Sequence, residues 1–191
     1  MAEVLDPALP PEIDNLAQRV LDAACDRELT LATAESCTGG LLASLLTDIP
    51  GKSHAFERGF VTYTHAAKHE MLGVPKHILQ ADGAVSERCA RAMADGALAH
   101  SRADLAVSIT GFTDGGPDQP AGLVHFASAR RGAPTVHRRL KLGDIGRAEV
   151  RLAALQAALE MLLERLKEDV LLPCRVDAGG DGSRAGARRS G

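Results

Sequence analysis

Residues 29–51 read LTLATAESCTGGLLASLLTDIPG. Leu29 to Ala34 is short, apolar and partly β-branched, which predicts a strand. Thr38-Gly39-Gly40 then opens the compact apolar run LLASLLTDI, a predicted helix stopped by Pro50-Gly51. The step from strand to helix leaves a short polar segment, Glu35-Ser36-Cys37-Thr38, between two buried elements.

The alternation continues outward from this stretch. Upstream, Ile13, Leu16, Val20, Leu21 and Ala24 fall at helical spacing, and Pro11 suits a first turn. Downstream, Gly59 to Tyr63 reads as a second strand, and His65 to Leu72 as a short helix closed by Gly73. Ser86 is a predicted N-cap for a helix over 87–103, with Glu87 favouring the helix dipole. Asp104 to Thr110 is a near-continuous apolar strand that ends in the turn-rich loop GFTDGGPDQPAG. Gly122 to Ala127 and Thr135 to Lys141 form a predicted strand pair around the turn at Arg131-Gly132. A long amphipathic helix follows from about 148 to 167, with Val150, Leu152, Leu155, Leu159, Leu162 and Leu166 on its apolar side. Helices alternating with strands predict an α/β layered fold.

The chain has 191 residues, the length of one domain with tails. Residues 1–10 read as a flexible lead-in and 11–172 as the domain. Residues 173–191, rich in Gly, Arg, Ala and Ser, read as a disordered tail. Lys plus Arg is 22 against 25 Asp plus Glu, a balance that argues against a general nucleic-acid binder. Four Phe, one Tyr and no Trp leave little for base-stacking platforms. The apolar runs fall short of the ~20 residues of a membrane span. The opening MAEVLDPALPPEID lacks the basic and apolar regions of a secretory leader. Cys25, Cys37, Cys89 and Cys174 show no CxxC spacing and read as free thiols, so the expected compartment is the cytoplasm.

Chemistry concentrates on Thr33 to Gly40. A side chain there projects from the end of a sheet, beside the positive end of a helix dipole. That setting suits a nucleophile, an oxyanion or a phosphate. Ser36 or Cys37 is placed to attack a carbonyl, and Thr38, Gly39 and Gly40 let the backbone come close. The same residues also read as an ordinary N-cap followed by packing glycines. Ala34 stands where a G-x-S-x-G elbow would have its first Gly. Tyr63 and Lys68 form a second group, since a Ser hydroxyl needs a base to take its proton. A Lys can serve when burial or a neighbouring cation lowers its pKa. His65 and His69 sit at i, i+4, but Ala66 fills the position of the zincin Glu, so they read as solvated histidines. Arg147 and Arg151 begin the last helix, where a cation opposes the dipole, which points to an anionic ligand.

TAESCTGGLLASLLTDIPGKSHAFERGFVTYTHAAKHEMLGV, GAVSERCARAMADGALAHSRADLAVSITG and GDIGRAEVRLAALQAAL together resemble the CinA C-terminal domain family, over roughly residues 12–167. The resemblance implies a single-domain, three-layer α/β/α sandwich, a dimer, and neither metal nor cofactor. Members of that family include amidohydrolases that convert nicotinamide mononucleotide to nicotinic acid mononucleotide and ammonia, so a small nucleotide is the implied substrate. The implied catalytic residues are Ser36, Tyr63 and Lys68. The implied substrate-binding residues are Cys37, Thr38, Gly39, Gly40, Thr110, Gly111, Arg147 and Arg151. Two departures stand out: the loop at 111–121 is short and lacks the family's Ala-Gly-Pro step, and two extra residues precede Arg147. A pocket that binds without reacting, and a hydrolase of another small amide, are the alternatives those departures leave open.

Overall fold

The computed structural model describes residues 9–168. The expected tail at 173–191, with Cys174, and most of the lead-in lie outside the described residues. The described elements follow in the order α1 (Pro11–Asp26), β1 (Leu31–Glu35), α2 (Leu41–Asp48), β2 (Phe56–Val61), α3 (His65–Leu72), α4 (Lys76–Ala81), α5 (Glu87–Ala99), β3 (Leu105–Gly111), β4 (Leu123–Arg130), β5 (Ala133–Lys141) and α6 (Arg147–Leu166). The sheet order is β2-β1-β3-β4-β5. β1 runs parallel to both neighbours, and β4 and β5 are antiparallel additions.

Side-chain alternation along the strands sorts residues by size onto the two faces. Leu31, Leu105, Val107, Ile109, Val124 and Phe126 pack with the apolar sides of α1, α2 and α6. Ala32, Ala34 and Ala106 turn to the other face, under α3, α4 and α5, and Ala127 and Ala129 meet Ala90 and Ala94 of α5. Small residues on that face let α5 approach closely. A Cβ on Gly96 of α5 would collide with the Leu72 carbonyl oxygen at the end of α3. The expected three layers are therefore present.

Several boundaries differ from the sequence reading, each for a local reason. The first strand begins at Leu31 rather than Leu29 because the Thr30 amide and hydroxyl both donate to the Asp104 carboxylate at 2.9 Å. The second strand runs 56–61 rather than 59–63. Past Val61, the Thr62 carbonyl leaves the ladder and accepts from Lys68 at 2.7 Å. The helix capped by Ser86 stops at Ala99 rather than 103, where Arg131 takes the carbonyls of Leu98, Ser101 and Ala103. α4 was not anticipated: six residues starting after Pro75 carry too little periodicity to read. The hairpin turns at Arg131-Gly132 as expected, but its strands extend to 123–130 and 133–141.

Candidate active site

The carboxyl end of β1 lies between β2 and β3 at the point where the chain order reverses, a place where open α/β sheets leave a crevice. Ser36 follows β1 directly, and its amide donates to the Ile109 carbonyl of β3 at 3.0 Å. The Gly39 amide donates back to the Ser36 carbonyl at 3.1 Å. Gly39 and Gly40 take φ of +64° and +94°, which turns the chain sharply into α2. No side chain caps α2 from its own first position. The cap comes from the buried Glu35 carboxylate, which accepts from the amides of Gly40, Leu42 and Ala43 at 3.2, 3.1 and 2.8 Å. Arg151 secures the turn from outside by donating to the Thr38 carbonyl at 2.7 Å. The α2 terminus thus spends its positive end on Glu35. The amides of Cys37 and Thr38 remain outside these bonds.

Lys68 is fully buried on α3. α3 is N-capped by Thr64, whose hydroxyl accepts from the Ala67 amide at 3.1 Å. The Lys68 ammonium donates to Ser36 Oγ at 2.8 Å and to the Thr62 carbonyl at 2.7 Å. Burial pushes the Lys68 pKa below its ordinary value, while the neighbouring Cys89 and Cys37 pull the other way. Burial acts oppositely on the Cys37 thiol, which is pushed up to about 11. Of the two adjacent nucleophile candidates, Ser36 touches an amine whose pKa burial lowers, and the Cys37 thiol is pushed up to about 11.

A cleft of about 330 Å³ opens over this pair, lined by Ser36, Cys37, Tyr63, Lys68, Thr110, Gly111 and Arg147, among others. Tyr63 stands at its rim, 68% exposed, and makes no hydrogen bond to Ser36 or Lys68 among the described residues. The Thr110 hydroxyl donates to the Ala84 carbonyl at 2.7 Å, tying the end of β3 to the loop before α5. Arg147 donates to Thr113 Oγ1 at 2.8 Å and to Asp114 Oδ2 at 2.6 Å. Asp114 first, then Tyr63, keeps the Arg147 guanidinium charged and raises its pKa. Thr38, Gly39, Gly40 and Arg151 lie behind the cleft wall and shape it rather than line it. Both arginines at the start of α6 have protein partners, which answers the unfavourable placement against the helix dipole.

Glu35 and Asp114 went unread in the sequence. Glu35 had a usable signal, an acidic residue just ahead of a helix that lacks a polar cap. Asp114 had none, because only the folded loop brings it to Arg147. His69 Nδ1 is engaged with the Val74 carbonyl at 3.0 Å. Among the described residues no group of three or more His, Cys, Asp or Glu could hold a metal ion. Among them, too, no helix is long and apolar enough to cross a membrane.

The model of the CinA C-terminal domain family matches residues 13–166. A CinA-like protein of Akkermansia muciniphila is 45% identical over 166 residues, covering 85% of this chain and 40% of that protein. The chain spans only 29 to 40% of the length of such longer relatives. The nicotinamide-nucleotide amidohydrolase PncC of Escherichia coli (strain K12) is 45% identical over 162 residues, covering 83% of this chain and 97% of that protein. The crystal structure of the competence/damage inducible protein CihA from Agrobacterium tumefaciens superposes with a TM-score of 0.81 at 46% identity, covering 85% of this chain and all of that one.

Proposed function

Since this chain belongs to the CinA C-terminal domain family, we propose that it is an amidohydrolase acting on nicotinamide mononucleotide, with Ser36 as nucleophile and Lys68 as its base. The observation that carries this reading is the buried contact between Lys68 Nζ and Ser36 Oγ at 2.8 Å. A lysine whose pKa is lowered by burial takes a serine's proton more readily than an ordinary lysine does.

In this scheme neutral Lys68 accepts the Ser36 proton as Oγ attacks the carboxamide carbon. The developing oxyanion is met by the amide of Cys37, which lines the cleft. As the C–N bond breaks, Lys68 returns the proton to the leaving nitrogen, and ammonia departs. The acyl ester on Ser36 is then attacked by a water that gives a proton to Lys68; as the ester bond breaks, Lys68 passes that proton to Ser36 Oγ and the acid departs as its carboxylate. Tyr63, at the rim, assists the proton traffic once substrate fills the cleft. Arg147 pairs with the phosphate in place of Asp114. Thr110 and Gly111 form the wall beside the nucleophile. A cytoplasmic homodimer is the expected form, checked by light scattering on the purified chain.

The test is a substrate panel. Ammonia and nicotinic acid mononucleotide are expected from nicotinamide mononucleotide, with far less product from nicotinamide or unrelated amides. Ammonia from another amide alone would reassign the substrate. Saturable binding of the mononucleotide with no ammonia would make the chain a binding module with an unreactive pocket.

A further inference from the structure

A second cleft, of about 480 Å³, lies on the hairpin side of the loop that walls the first. Gln119 lines the first cleft, and the next two residues, Pro120 and Ala121, line the second. The sheet register explains what else faces it. Thr110, His125 and Arg139 are cross-strand partners in one row over β3, β4 and β5, and Leu123 and Lys141 form the next pair on the same face. α5 covers that face only from Glu87 onward, where Glu87 meets His137 at 3.4 Å. Beyond the start of α5 the hairpin face is open, and His125, Arg139 and Lys141 line the opening.

Among the described residues no carboxylate lines the cleft, and neither the Arg139 nor the Lys141 side chain makes an ion pair or a hydrogen bond. His125 is 8% exposed; its Nδ1 is engaged with His137 Nε2 at 2.9 Å. Its Nε2 has no hydrogen-bond partner among the described residues, although the ring belongs to the cleft wall. Burial first, then His137 and Arg139, pushes the His125 pKa down, with Glu87 pulling the other way. The standing charge is therefore that of two cations held on adjacent positions of one strand face. A concave surface with two unpaired cations and an imidazole edge is suited to a small, densely charged anion.

We propose that the His125–Arg139–Lys141 cleft is a second ligand site, which takes the phosphoryl groups of a small phosphorylated molecule. It is separate from the Ser36 cleft and shares the 111–122 loop as a wall. The loop is pinned at its base, since the Leu142 amide donates to the Gly122 carbonyl at 2.9 Å.

Calorimetric titration of the full chain with inorganic pyrophosphate tests this. Saturable binding is expected in the wild type and in Arg147→Ala. In the double variant Arg139→Ala/Lys141→Ala it should weaken about tenfold or more, the scale of losing charged contacts. His125 and His137 imidazole NMR signals should move on titration of the wild type. Absence of saturable binding, or affinity unchanged in the double variant, overturns the proposal. So does affinity lost equally in Arg147→Ala, which would assign the anion to the first cleft.

Discussion

Lys68 Nζ lies 2.8 Å from Ser36 Oγ and is held there by a second bond, 2.7 Å, to the Thr62 carbonyl. The second bond fixes which way the amine points. The first can run in either direction: an ammonium donates to the hydroxyl, and a neutral amine accepts from it. The transition between those two states is the proton step that an acyl transfer by serine requires.

That step sets a pH dependence. As the proposed base Lys68 has to be neutral, and burial lowers its pKa. kcat/KM should therefore fall as pH drops through a midpoint below the ~10.4 of an ordinary lysine. Stability carries the same sign. Between the lowered folded value and the unfolded one, the unfolded chain binds more protons, so stability rises with pH across that window. Urea midpoints of wild type and Lys68→Met over that range should differ in slope, with the rise confined to the wild type.

Cys37 should behave as an inert thiol. With its pKa near 11, little thiolate exists at neutral pH. Iodoacetamide should modify it slowly in the native chain at pH 7.5 and readily after denaturation. Cys37→Ala should retain turnover, and rapid native alkylation that stops turnover would transfer the nucleophile role to Cys37.

Arg147 should act on binding rather than on chemistry. Its partner Asp114 is exposed, and such a pair is worth only ~0–1 kcal/mol, so a phosphate can displace it. Arg147→Ala should raise KM for nicotinamide mononucleotide by roughly 10- to 100-fold with kcat little changed. Asp114→Asn should leave KM equal or lower. Steady-state kinetics of both variants decides the point.

Gly96→Ala should reverse the usual helix rule. In an exposed helix interior the change gains up to ~1 kcal/mol. Here the added Cβ meets the Leu72 carbonyl, and overpacking of that kind costs about 1–3 kcal/mol. Thermal denaturation should show a lower Tm, and the strain should reach catalysis because Leu72 ends the helix that carries Lys68.

Much of this was legible in the residues. The strand-loop-helix at 29–51 and the hairpin turn at Arg131-Gly132 follow from periodicity and turn chemistry, which are local. Ser36 was placed by the same local reading, at a strand end beside a helix start. Its contact with Lys68 spans 32 residues of sequence; the need of a Ser hydroxyl for a base points to Lys68 and the family resemblance implies it, but no periodicity encodes the contact. Asp104 trimming β1, Arg131 ending α5 and Asp114 meeting Arg147 are long-range side-chain contacts of the same kind. The positive end of the helix dipole beside Ser36, which periodicity does place, is met by Glu35 of the same segment, a side-chain fold-back that no spacing encodes.

The central claim is that Ser36 performs the attack. Ammonia release from nicotinamide mononucleotide, measured for wild type and for Ser36→Ala of matched Tm, tests it most directly. The account predicts release by the wild type and, in the variant, a loss of at least about 10³-fold. A folded Ser36→Ala chain that still releases ammonia near the wild-type rate would contradict it.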